Sequence, residues 1–174
     1  MARGNCVLIT PEPKGRFDEG TIIGTPKPGV CVTLKPGTTF TNGGRPEFEP
    51  AGATATIYMG ADGDRIPIGV LLDSASPGGM ASGPYRDYNT AFASGDRCAV
   101  YYPVPGDELN MWLQDNTGTG ALEDFTVGVK LIVDDGTGKL LQTTGTPEAE
   151  AFQCNELKTD LAADYFCHVT FTGY

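Results

Sequence analysis

The sequence predicts an all-β protein: a small antiparallel β-barrel or sandwich with an extended N-terminal arm and long loops. Three observations carry this. Glycine and proline number 24 and 13 in 174 residues, a density that favours many turns and short strands over long helices. Short runs alternate with period two: Val30, Val32 and Leu34 fall on one face, and Cys31, Thr33 and Lys35 on the other. Asp-Gly pairs stand between such runs, a strong short-range signal for a hairpin.

Taken in order, residues 1–20 read as an arm. Pro11, Pro13 and Gly15 forbid a stable helix there, no periodicity emerges, and such an arm needs a surface to lie on. Residues 21–174 then read as a single β-barrel-like domain, which suits the chain length. Thr21 to Gly37 holds two short strands around a Pro-Gly turn. Thr38 to Gly52 is polar, rich in Gly and Pro, and reads as a loop. Runs at 54–59 and 65–72 flank Asp62-Gly63-Asp64 as a hairpin, with Pro67 at an edge or bulge. Ser74 to Asn89 is a long loop that carries Met80, Tyr85 and Tyr88 without periodicity, as an interface would.

Two further runs, 97–104 and 108–114, flank Pro105-Gly106-Asp107-Glu108. They read as a hairpin with a solvated polar tip. After a loop at 116–120, strands at 130–134 and 139–143 meet at Asp135-Gly136-Thr137-Gly138, a second hairpin. Strands at 152–157 and 165–172 close the chain; Tyr165, Cys167, Val169 and Phe171 share a face. Leu157 to Ala163 has room for one helical turn, too short to stand alone.

Composition narrows the function. Hydrophobic residues at 40% and charged residues at 20% mark a soluble globular chain. The net charge is −10 and no Lys/Arg stripe exists, so a nucleic-acid partner is not expected. Acidity of this kind gives solubility or complements a basic protein surface. No apolar run approaches a membrane span, so no membrane partner is expected. The start lacks the apolar stretch of a signal peptide, so the chain is expected to be made and kept in a cytosol.

The five cysteines are Cys6, Cys31, Cys98, Cys154 and Cys167. They are odd in number and widely spaced, with no C-x-x-C, and read as reduced structural thiols. A Cys154–Cys167 bridge needs their strands to be neighbours, and a cytosolic origin weighs against it.

Each candidate for chemistry meets a plainer reading. His168 is the only histidine and lies inside a predicted strand; no G-x-S-x-G elbow exists to pair with it. One imidazole supplies neither H-x-H nor H-E-x-x-H. Asp107 and Glu108 are neighbours that point to opposite faces of a strand, so they diverge rather than form a glycosidase pair. Trp112 sits between Met111 and Leu113 and reads as a core or interface aromatic before a sugar platform. Asp62-Gly63-Asp64 and Asp134-Asp135-Gly136 do not follow the calcium-loop pattern. Gly136-Thr137-Gly138-Lys139 imitates the end of a phosphate loop, but Val133 stands where the first glycine belongs. No catalytic residue, metal ligand or cofactor is assigned. The profile suits a chain that binds other proteins.

Gly95-Asp96-Arg97-Cys98-Ala99-Val100-Tyr101 sets a "GD" turn before a valine-bearing strand. Val127 to Leu140, with Asp134-Asp135-Gly136-Thr137-Gly138-Lys139-Leu140, adds an acidic glycine turn between strands. Ala151 to Leu157 and Ala163 to Val169 supply the closing pair. In this succession, over roughly residues 20–172, the chain resembles the capsid decoration (cement) proteins of tailed bacteriophages, of the small β-barrel type. It departs from them in the bulk of Phe152 to Leu157 and in the length of the Ser74–Asn89 loop.

The resemblance implies a non-enzymatic virion protein on the outer capsid surface, assembled in the host cytoplasm. Its partners would be the major capsid protein and neighbouring copies of itself, as a homo-oligomer (a trimer or dimer). Repeated modest contacts would add through avidity. The contact residues would come from the arm (Arg3, Val7, Ile9, Arg16), from the 74–89 loop (Met80, Tyr85, Tyr88), from the 115–120 loop and from Trp112. Three other readings stay open. One is a different virion part, such as a head-fibre base or tail component. Another is a carbohydrate-binding domain with Tyr101, Tyr102 and Trp112 coplanar on an exposed face. The last is a small acid hydrolase, which needs two converging carboxylates.

Overall fold

Among the described residues the protein forms two sets of five strands. The computed structural model describes residues 7–35, 45–51, 69–73, 88–114, 125–134, 137–142, 152–158 and 166–173. Among them every regular element is a strand, so the fold is all-β. The first set is β1 (Arg16–Ile22), β2 (Cys31–Leu34), β3 (Glu47–Pro50), β4 (Gly69–Leu71) and β5 (Arg97–Tyr102). It closes into a barrel in the order β1-β3-β2-β4-β5, with β5 returning to β1. All its pairings are antiparallel except β1 with β3, where Thr21 faces Glu47 and Ile22 faces Phe48.

The second set is β6 (Glu108–Trp112), β7 (Lys130–Val133), β8 (Leu140–Gln142), β9 (Phe152–Lys158) and β10 (Phe166–Phe171). Its order is β6-β10-β9-β7-β8. The two outer strands of this sheet also touch at a single bridge, Leu113 to Leu140, where Gln114 N–H donates to Leu140 O at 2.6 Å.

Alternation sorts the side chains into two cores. Ile22, Val32, Phe48, Leu71, Cys98 and Val100 face one way from the barrel strands and pack with Trp112 and Phe166. Cys31, Val70, Ala99 and Tyr101 face the other way and pack against Leu109, Met111, Leu131, Val133, Phe152 and Val169 of the second sheet. The barrel wall is thus apolar on both faces where the second sheet covers it. That is why the middle of β5, Cys98-Ala99-Val100-Tyr101, is buried without a break.

Several expectations change. Residues 16–20, read as part of the arm, are the first five of β1 and pair with β5 from Arg16↔Tyr102 to Gly20↔Cys98. Only the second half of β1 is buried, which hides its alternation in sequence. Upstream, Val7 to Thr10 lies along β6: Leu8 bridges Leu109, Ile9 N–H donates to Glu108 O at 3.0 Å, and Asn110 N–H donates to Val7 O at 2.7 Å. The surface that this segment lies on is its own domain. The expected loop at 38–52 contains β3, whose one buried side chain is Phe48.

The β7–β8 hairpin forms as expected, with Leu131↔Gln142, Ile132↔Leu141 and Val133↔Leu140. Leu157, read both as the end of the strand 152–157 and as the start of a helical turn, lies in β9, which runs on to Lys158. The expected strand at 54–59 and its Asp62-Gly63 turn lie outside the described residues, as do the 115–120 loop and nearly all of the 74–89 loop.

Candidate functional site

The acids that draw the eye in sequence occupy a corner, not a hairpin. β5 and β6 flank Pro105-Gly106 as expected, yet they do not pair: β5 belongs to the barrel and β6 to the second sheet. Asp107 is not a solvated tip. It is 4% exposed. Its carboxylate accepts the Tyr101 hydroxyl and, at 2.9 Å, the Val104 N–H. The same Tyr101 oxygen accepts Gly15 N–H at 2.9 Å. One phenol therefore ties the N-terminal segment, the barrel wall and the corner together, with its polar end satisfied as burial requires. Burial first, and the Asp107 carboxylate next, push the Tyr101 phenol well above its ordinary range.

Glu108 points elsewhere, as neighbouring strand residues should. Its carboxylate lies 3.5 Å from Nε2 of His168, which faces Asn110 across β6 and β10. Asp107 and Glu108 do not converge, so this pair does not make the acid–base couple of a hydrolase. Among the described residues no three His, Cys, Asp or Glu side chains gather as a metal shell needs.

A recess beside Trp112 is the better binding feature. Three segments build it: the β1–β2 connection supplies Thr25, Pro26, Lys27 and Val30, β6 supplies Trp112, and the β7–β8 turn supplies Thr137 and Lys139, around about 260 Å³. The Trp112 indole N–H donates to Pro28 O at 2.7 Å, which fixes the ring. Phe166 packs on it at 4.7 Å between centroids and Tyr88 at 6.0 Å. Lys27 Nζ stands 4.8 Å from the centre of the Trp112 ring and donates to Asn89 Oδ1 at 2.8 Å. The lining joins two lysines and two threonines to the apolar side chains of Pro26, Val30 and Trp112, although the Lys27 ammonium already donates to Asn89 and the Thr137 hydroxyl to Asp134; a recess of this size takes a single side chain or small group rather than an extended polymer. Lys27 and Lys139 were not legible as a pair. The signals for each were local ones, a Pro-Lys-Pro-Gly connection and a hairpin turn.

The residues singled out from sequence scatter. Val7 is fully buried in the core shared by the two sheets, and Trp112 is 2% exposed. Both are core residues of this chain rather than surface anchors, because the backbone pairing of 7–10 with β6 and the barrel residues behind Trp112 enclose them. Ile9 and Tyr88 are half-buried, and Arg16 is exposed, paired with Asp18 at 2.7 Å and laid over the Tyr102 ring at 4.5 Å. Arg3, Met80 and Tyr85 lie outside the described residues. The sugar platform does not form: Tyr101 is buried in one core, Trp112 in the other, and only Tyr102 is half-exposed. No protein-family model matches the chain, and no curated protein matches it in sequence.

Proposed function

We propose that the chain is a capsid decoration protein of a tailed bacteriophage. In this reading it binds the outer surface of the expanded head, bridges major capsid subunits and neighbouring copies of itself, and stabilises the shell against internal pressure. The observation that carries the reading is where the resembling motifs fall in the fold. Gly95, at φ +91°, and Asp96, whose carboxylate accepts Ala93 N–H at 2.8 Å, make the turn that leads into β5. Val127 to Leu140 contains a turn, β7 and the tight return to β8, and the closing pair is β9 with β10. The succession of turns and strands that carries the resemblance is thus a succession of real elements within one pair of packed sheets. In this reading the recess beside Trp112, with Lys27 and Lys139 in its lining, receives one acidic side chain of a capsid subunit.

Co-sedimentation tests the reading. The purified protein is expected to pellet with mature, expanded heads of the phage that encodes it and to stay in the supernatant with precursor shells. Failure to bind either particle overturns it. The arm needs its own test, and the deletion must spare Val7 and β1, which are parts of the core. Removal of residues 1–6 is expected to lower head occupancy while the fold persists. Unchanged occupancy would take Arg3 and its neighbours out of the contact surface.

A further inference from the structure

Cys154 on β9 and Cys167 on β10 stand side by side in the middle of the second sheet. Cys154 is opposite Val169, and Cys167, two residues from Val169, shares its face. The register slips between His168 and Val169, so Asn155 of β9 has no opposite number and β9 bulges there. Both cysteine side chains enter the same core, at 1% and 0% exposure, and their Sγ atoms are 3.1 Å apart. That is about 1 Å longer than a disulfide bond. Two free thiols on neighbouring strands thus sit in contact.

We propose that Cys154 and Cys167 are a latent cross-strand disulfide: free thiols in reducing surroundings, closed by exchange with a small disulfide such as oxidised glutathione. The inference does not depend on the capsid reading. In the first step the Cys154 thiolate attacks one sulfur of the oxidant. The oxidant's S–S bond breaks, one thiolate leaves, and Cys154 carries a mixed disulfide. In the second step Cys167 gives up its proton to solvent and attacks the Cys154 sulfur; the protein S–S bond forms and the second thiolate leaves. Two cysteine thiols are oxidised, one small disulfide is reduced to two thiols, and the two protons end on those thiols.

The order of attack follows from the contact itself. The hydrogen bond from Cys167 holds the Cys154 thiol below its ordinary value, and the same contact, with burial, pushes Cys167 up. The thiolate is the nucleophile, so Cys154 reacts first. Cys31 and Cys98 lie on barrel strands, where burial pushes both thiols up, Cys98 to about 12. Because both sulfurs of the pair are buried, the first attack waits on local opening of β9 from β10. Closure is therefore slow, and the closed bond is sheltered from reductant.

Peptide mapping tests this on the full-length protein. Reduced protein is incubated with oxidised glutathione without denaturant, remaining thiols are alkylated, and the product is cut with trypsin, which cleaves after Lys158 between the two cysteines. Peptide 140–158 is expected to appear joined to peptide 159–174, two hydrogens lighter than the separate pair. The urea midpoint of the same sample should rise and return on addition of a dithiol. Cys167→Ser is expected to stop at a glutathione adduct on Cys154, and Cys154→Ser to leave Cys167 unmodified over the time in which the wild type is fully joined. The wild-type map stands without either variant. Two separate, alkylated peptides, or joining of either peptide to Cys31 or Cys98 instead, overturn the inference.

Discussion

The corner at Pro105–Asp107 and the hairpin at Asp134–Lys139 start from the same ingredients and use them in opposite ways. Each places a glycine and an aspartate between two β runs. At the corner the aspartate is buried and holds the Tyr101 hydroxyl, while Gly106 is exposed with open space where a Cβ would stand. At the hairpin the aspartate is half-buried and accepts the Thr137 hydroxyl, while Gly138 is buried. Gly138 has φ +69°, its carbonyl accepts Cys31 N–H at 2.7 Å, and a Cβ there would lie 2.2 Å from Cys31 O. What each turn packs against decides the difference. The corner closes over Tyr101 and the N-terminal segment, and the hairpin backs its glycine onto the barrel strand β2.

The largest expected effect breaks the hairpin half of this comparison. Gly138→Ala must either strain a left-handed backbone or push the turn off β2, at a cost of about 3 kcal/mol. Gly106→Ala, also left-handed at φ +98° but unobstructed, should cost about 1 kcal/mol. Urea unfolding of both variants measures the gap, and equal losses would show that Gly138 does not press on the barrel.

The aspartates should rank the other way. Asp107→Ala leaves the buried Tyr101 hydroxyl and the Val104 N–H without their acceptor and should cost about 2 kcal/mol. Asp134→Ala should cost about 0.5 kcal/mol. A double-mutant cycle of Asp107→Ala with Tyr101→Phe should return a coupling of about 1 kcal/mol; additive losses would mean that the phenol does not depend on the carboxylate.

Alkaline pH probes the same corner more gently. The Tyr101 phenol is raised from its ordinary value of 10.0. The folded state therefore keeps a proton that the unfolded chain releases, and the associated stability is complete below pH 10 and is lost as pH rises beyond it. The buried thiols of Cys31 and Cys98 shift the same way from 9.0. The thermal midpoint should begin to fall near pH 9 and fall faster above 10, and Tyr101→Phe should reduce the second, steeper part, leaving the share of Tyr102, whose phenol burial also raises. A midpoint that is flat from pH 9 to 11 would contradict the burial of all three groups.

The smallest effect is at Glu108. Its contact with His168 is long and its side chain is 47% exposed. Glu108→Gln should change stability by less than about 0.5 kcal/mol, a sharp contrast with the neighbouring aspartate.

Much of the fold was legible where one strand face is apolar and the other is not. The alternation of Val30 to Lys35 marked β2, and the acidic glycine turn after Val133 marked the β7–β8 return. β3 was not legible, because Glu47-Phe48-Glu49-Pro50 offers one apolar side chain and the pairing partner Val32 is remote. β1 was hidden because Phe17 is the only apolar side chain among Arg16 to Glu19, it is only half-buried against Tyr101, and only Gly20 to Ile22 are fully buried. The recess was not legible at all: Lys27 lies on a connection between barrel strands and Lys139 on a turn of the second sheet, and they line one recess only because that connection and that turn come together in the fold.

By itself the sequence determined the class and most of the strand segments, because alternation and turn chemistry act between residues a few positions apart. It also determined that Asp107 and Glu108 diverge, since neighbours on a strand must. Only the tertiary structure decided that β5 and β6 part into different sheets, that Asp107 is the buried acid of the two, and that Cys154 meets Cys167. Those outcomes depend on which distant strands pair and in what register. That choice is made by the summed burial of two cores and the satisfaction of a few buried polar groups, and no local window of the chain contains it.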